Sequence, residues 1–118
     1  MKIYLDDDAN YRITPDGWHR TFTASETIEL LKTEQVTHLS LDHDLGPLEA
    51  GTGYDVVCWI EQMVIEKQFN PPIMTIHSAN PVGRQKMQAA IQMIYHHFKV
   101  TQPTLWDEFI SNLQTSNS

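Results

Sequence analysis

The chain has a single cysteine, Cys58, among 118 residues. That excludes an internal disulfide and suits a reducing cytoplasm. Basic residues are scarce: 8 Lys and Arg stand against 15 Asp and Glu, a formal net charge of −7. A grip along an RNA or DNA backbone needs cations gathered on one face, so no broad nucleic-acid surface is expected. No apolar run approaches the roughly 18–20 residues of a membrane-crossing helix. Asp6-Asp7-Asp8 interrupts the first apolar stretch, so no secretory signal is expected and a cytoplasmic location is. Internal repeats and low-complexity linkers are missing too, which predicts one domain over 1–114 and a polar, frayed tail over 115–118. Cys58 falls inside a helical pattern and is expected to be a small buried filler.

What the chain does have is a set of apolar runs that stop at polar clusters. Lys-Ile-Tyr-Leu (2–5) runs into Asp6-Asp7-Asp8, and His-Leu-Ser-Leu (38–41) into Asp42-His43-Asp44. Pro-Ile-Met-Thr-Ile (72–76) ends in His77-Ser78-Ala79-Asn80. These runs read as strands, and Trp18–Phe22 as a short exposed strand at a sheet edge. Between them lie helical patterns. Thr23 with Glu26 forms a capping box before Ala24, Ile28, Leu31 and Gln35, and Thr52 with Asp55 another before Val56, Val57, Ile60, Met63 and Val64. Asn80 as cap and Pro81 in the first turn open a third helix, with Met87, Ile91, Ile94 and Phe98 on one stripe. Leu105–Leu113 is a last amphipathic segment. Strands alternating with helices predict an α/β three-layer sandwich with a short parallel sheet.

In such sheets ligands bind beyond the carboxyl ends of the strands, where the polar clusters would meet. Carboxylates packed that closely repel unless a cation sits among them, and a divalent metal is the natural candidate. Asp6 and Asp7 are nearest the end of the first strand. Asp42 is the natural central carboxylate, with Asp44 a ligand or a cap just after it. A plain alternative for the acidic triplet is a solvated turn; a second acidic pair at another strand end favours a shared metal. His77, tunable near neutrality, is a candidate proton-transfer group. Ser78 and Asn80 precede a helix start that favours anions, and Arg12 and Arg84 are candidate phosphate clamps. Arg84 reads equally as a residue on a wet helix face, and the tryptophans, Trp18, Trp59 and Trp106, as packing.

The phrases Leu5-Asp6-Asp7, Pro15 to Trp18, Ser40-Leu41-Asp42-His43-Asp44-Leu45-Gly46, Thr52-Gly53-Tyr54-Asp55 and His77-Ser78-Ala79-Asn80-Pro81-Val82-Gly83-Arg84 resemble the cyclic-phosphate-processing receiver-like family, a divergent branch of the response-regulator receivers. The resemblance spans roughly the first four-fifths of the chain. It implies receiver (flavodoxin-like) topology and metal-dependent hydrolysis of a 2′,3′-cyclic phosphate on a nucleotide or RNA end, beside other RNA-repair proteins. It puts Mg²⁺ or Mn²⁺ on Asp6, Asp7 and Asp42, and makes His43, His77 and Arg84 additions that a plain receiver does not need. Two departures stand out. Lys99 to Pro103 gives no clear fifth strand with its lysine, so that strand is expected to be reduced or missing. No first helix is expected between strands one and two. The rival expectation is a catalytically inactive receiver-like module that docks a partner or sequesters a nucleotide.

Overall fold

Short β-rich runs separated by well-capped helices set the order of elements: β1 (Lys2–Leu5), β2 (His19–Thr21), α1 (Ala24–Leu31), β3 (His38–Leu41), α2 (Gly53–Lys67), β4 (Ile73–Ile76), α3 (Pro81–Thr101) and α4 (Pro103–Ser116). They are seen in a computed structural model that describes residues 1–8, 10 and 12–116. The strands pair in parallel in the order β2-β1-β3-β4. No fifth strand is present among the described residues, as expected. The step from β1 to β2 runs one way along the sheet, and the steps to β3 and β4 run the other. Right-handed crossovers therefore put α1 and α2 together on one face. The described residues of the 6–18 connection include no helix and lie on the other face, where Arg20 of β2 bonds to the Thr14 hydroxyl and the Arg12 carbonyl.

Strand alternation divides the sheet chemically. Ile3, Leu5, Leu39 and Leu41 are fully buried, and they pack with Val56, Val57 and Ile60 of α2 and Met87 and Ile94 of α3. The opposite face carries Tyr4, Arg20 and Ser40 side by side in register. The helix starts follow their caps. Asp55 N–H donates to Thr52 Oγ1 at 3.2 Å and Thr52 N–H to Asp55 Oδ2 at 2.9 Å, a complete box. At α1 the box is displaced, because Glu26 accepts from the Phe22 amide rather than from Thr23. Asn80 Oδ1 caps Gly83 N–H at 3.1 Å.

Several expectations need correction. Cys58 is exposed, not a buried filler: the buried stripe of α2 runs through Gly53, Val56, Val57, Ile60 and Val64, and residue 58 points off it. The helix expected to reach Gln35 ends at Leu31, and Glu34 turns the chain with φ at 59°. The edge strand at 18–22 exists, shortened to His19–Thr21, yet Thr21 is fully buried. It bonds to Thr27 of α1. α4 continues through Thr115 and Ser116 of the expected tail, and the other tail residues, Asn117 and Ser118, lie outside the described residues.

The missing fifth strand leaves β4 with an open edge, and α3 covers it. The Tyr95 hydroxyl accepts from Met74 N–H at 2.9 Å and donates to the Pro72 carbonyl at 3.2 Å. Burial pushes the Tyr95 phenol up to about 12, so the hydroxyl remains a donor. Arg84 Nη1 donates to the carbonyls of Ile76 and Ser78 at 3.3 and 3.4 Å. No helix among the described residues is long and apolar enough to cross a membrane.

Candidate functional site

Three strand ends deliver one acid each or an imidazole to the carboxyl edge of the sheet. Asp6 follows β1, Asp42 follows β3 and His77 follows β4. The parallel register continues past the strands, since Asp42 N–H donates to Leu5 O and His77 N–H to Leu41 O. Side chains two residues apart share a face, so Asp6, Asp42 and His77 stand in a row beyond Tyr4 and Ser40. One donor atom from each of the three lies within 4.8 Å of the others.

Arg12, from the 6–18 connection, closes the cluster. Its Nη1 donates to Asp6 Oδ2 at 3.0 Å and to Asp42 Oδ2 at 3.2 Å. Asp6 is fully buried and its remaining bonds are strong ones. Oδ1 accepts from Asp8 N–H at 2.8 Å and stands 3.6 Å from Arg20 Nη1; Oδ2 meets His77 Nε2 at 3.1 Å. The imidazole is fixed on three sides: by Asp6, by Ser40 Oγ at 2.7 Å from Nδ1, and by the Tyr4 ring, stacked at 4.2 Å and within 3° of parallel.

The two carboxyl groups are driven apart. Burial works against the charge of Asp6, but the Asp8 amide and Arg12 outweigh it and hold Asp6 below the ordinary carboxylate range. At Asp42 burial dominates, the neighbouring Asp6 charge adds to it, and Arg12 offsets only part, so this carboxyl is raised. His77 is lowered by burial first; Asp6 pulls it back up, and Arg12 and Arg20 push it down. Neighbouring titratable groups forced in opposite directions are what proton-transfer and cation-binding sites contain.

Other expected site residues lie elsewhere. His43, one peptide bond past Asp42, turns its ring onto α3, where a Cβ on Gly83 would come within 2.6 Å of His43 Cδ2. Its Nδ1 donates to Asp44 Oδ1 at 2.9 Å, and Asn80 Nδ2 donates to Asp44 at 3.2 Å. His43, Asp44 and Asn80 thus form a clasp between the loop after β3 and the start of α3. Asp7 is exposed and borders the β3 loop, 3.1 Å from where a Cβ of Gly46 would stand. Ser78 is buried and its Oγ accepts from Asn80 N–H. Arg84 serves the open edge of β4. Of the expected residues, Asp6, Asp42, His77 and Arg12 come together.

Sequence reasoning missed Ser40, Tyr4 and Arg20. The signal for the first two was available, since Ser40 is two residues before Asp42 and Tyr4 two before Asp6, on the same faces. The donor set of two carboxylates and an imidazole suits a divalent ion of the Mn²⁺ type, and its carboxylates suit Mg²⁺. Asp42, whose charge is unfavourable where it lies, is the group that a cation would relieve. Arg12 Nη1 lies between the two carboxylates, within hydrogen-bond distance of both.

No curated protein and no solved structure matches the chain. A family model described as "Cyclic-phosphate processing Receiver domain" matches residues 1–93, which contain every residue of the Asp6–Asp42–His77 cluster and both arginines beside it. A parallel sheet of receiver order, an acidic pair brought together at its carboxyl edge and that match lead to one assignment: the chain belongs to the cyclic-phosphate-processing receiver family.

Proposed function

We propose that the cluster hydrolyses a 2′,3′-cyclic phosphate, carried by a nucleotide or an RNA end, to the monoester. One observation carries the reading: two carboxylates share an arginine beside a histidine, at the edge of the sheet where ligands bind. In the reaction water adds to phosphorus, one ring P–O bond breaks, and the freed ribose oxygen is protonated. His77 moves a proton at Nε2, the ring atom that faces Asp6. Asp6 and Asp42, the carboxylates that Arg12 bridges, would hold a cation, Mg²⁺ or Mn²⁺. When bound, the ion would neutralise the phosphate oxygens and lower the pKa of a water. Arg12, beside the two carboxylates, would clamp the phosphate in bidentate fashion.

The test is ³¹P NMR of 2′,3′-cyclic mononucleotides with the protein, with Mn²⁺, Mg²⁺ or chelator added. Metal-dependent conversion to a 2′- or 3′-monophosphate is the expected outcome. No product under any condition would sink the reading.

A second reading, a binding module without turnover, draws on a specific observation. At rest Arg12 already bridges the pair, and both ring nitrogens of His77 are engaged. It predicts a shifted or broadened ³¹P resonance with no product.

A further inference from the structure

We propose that a cavity at the amino-terminal edge of the sheet binds a small organic cation, an ammonium group carried on an apolar body. The inference goes beyond the phosphoesterase reading and does not rest on it. The cavity opens at the starts of β3 and β4, and the Asp6–Asp42–His77 cluster lies past the opposite ends of the same strands.

The cavity has a volume of about 520 Å³, within the roughly 300–1,000 Å³ of small-molecule sites. Its floor is apolar: Pro71, Pro72 and Ile73 at the start of β4, and Phe98 of α3, are all buried. Val36 ahead of β3 and Leu105 and Phe109 of α4 line it as half-buried walls. The Phe98 and Phe109 rings meet edge to face, with centroids 6.0 Å apart. A ligand with an aliphatic or aromatic body would take this surface out of water. α4 begins after residue 93, so the helix that closes the cavity is no part of the matched receiver region.

Charge at the opening selects the head group. Glu34, from the turn after α1, and Glu108, from α4, line the cavity and are exposed. Neither carboxylate has a hydrogen bond or ion pair among the described residues. Asn70 and Asn112 add amide oxygens, and no lysine or arginine lines the cavity. Lys2 and the amino terminus act on His38, yet both are engaged elsewhere. Lys2 stands over the Trp18 ring at 5.7 Å, and the amino group donates to the Gln35 carbonyl at 2.9 Å. His38 itself is lowered, by burial first and then by those two cations, so it adds no charge near neutrality. Two unpaired carboxylates above an apolar floor favour a cation and disfavour an anion of the same shape. A nucleotide phosphate has the wrong sign for this cavity.

The experiment is an NMR titration of the full ¹⁵N-labelled chain with 2-phenylethylammonium, 2-phenylethanol and phenylacetate, which share one aromatic body and differ in the charge of the head group. The ammonium probe should shift the amides of 34–38, 70–73 and 105–112 saturably. It should bind about fivefold more tightly than the alcohol, an effect within reach of two exposed ion pairs, and phenylacetate should bind most weakly. Glu34→Gln combined with Glu108→Gln changes two exposed side chains and leaves the floor intact. That variant should bind the ammonium probe no better than the alcohol. Equal affinity of wild type for the ammonium and the alcohol would overturn the inference, as would a double variant that keeps the preference. Shifts confined to other parts of the chain, or no saturable shift with any probe, would overturn it too.

Discussion

Asp42 and His43 are joined by one peptide bond, and their side chains enter two separate webs. Asp42 joins Asp6, Arg12 and His77 in a largely buried web in which burial works against the Asp42 charge. His43 joins Asp44 and Asn80 in a clasp whose acid is exposed and held low by its partners, with the imidazole first. Both use a carboxylate and a histidine at about 3 Å spacing. What separates them is their surroundings. In the first web burial opposes the charge of Asp42, a condition that the proposed cation site would relieve; in the second the same chemistry fastens a loop to a helix. A histidine–aspartate contact therefore says little about function until the burial of the acid is known.

The comparison breaks most sharply under substitution of its first member. Asp42→Asn should lower kcat/KM for a 2′,3′-cyclic nucleotide by about 10²–10⁴-fold, the range lost with a proton-transfer or charge-stabilising group. His43→Gln should leave it near the wild-type value while lowering the denaturation midpoint. Equal losses of activity would erase the distinction.

Gly83→Ala tests the clasp from the other side. The added methyl meets the His43 ring, and unfolding in urea should show a loss of about 1–3 kcal/mol. Arg12→Ala removes the resident counter-ion of the first web. Mn²⁺ binding, followed by water-proton relaxation, should tighten by about tenfold, or ~1.4 kcal/mol. Weaker binding would mean that Arg12 helps to seat the ion instead of competing with it. Asn80→Ala takes away a helix cap and a bond to Asp44, for about 0.5–2 kcal/mol in the same urea assay.

The smallest effect is the dependence of stability on pH, and its sign differs within the first web. Asp6 is lowered, so its contribution is present above the ordinary value of 3.8 and is lost as pH falls through its folded pKa. Asp42 is raised, so it works the other way, costing stability as pH climbs from 3.8 through its folded pKa. His77, lowered from 6.5, contributes above that value and loses it as pH falls toward its folded pKa. Asp42→Asn should therefore stabilise the fold more at about pH 7 than at about pH 4, read from melting temperatures in matched buffers.

The sheet was legible because each strand is an apolar run cut off by polar residues, and a period of two survives even in four residues. The helix starts were legible through Thr52, Asp55 and Asn80, whose caps are local. Asp6, Asp42 and His77 could be named because each ends a strand. What the sequence hid was contact across distance. Ser40 meets His77 37 positions later, and Asp6 meets it 71 positions later. The split between Asp42 and His43 follows from alternation, but the destination of the His43 ring depends on Gly83, whose lack of a side chain becomes meaningful only once α3 docks. Cys58 was misjudged because a helical pattern says which residues form a stripe, and residue 58 lies one step off it. Arg84 was unreadable for a different reason: its partners are carbonyls exposed by a strand that is not there.

That absent strand has a consequence for how the protein opens. The edge of β4 is guarded by side chains of α3, Tyr95 midway along the helix and Arg84 near its start, and not by another strand. Hydrogen exchange at Met74 N–H should therefore keep time with α3 lifting away rather than with loss of the sheet. Each such opening bares an unpaired strand edge that can accept a strand from another chain, so the loosening of one helix and the tendency to self-associate are the same event.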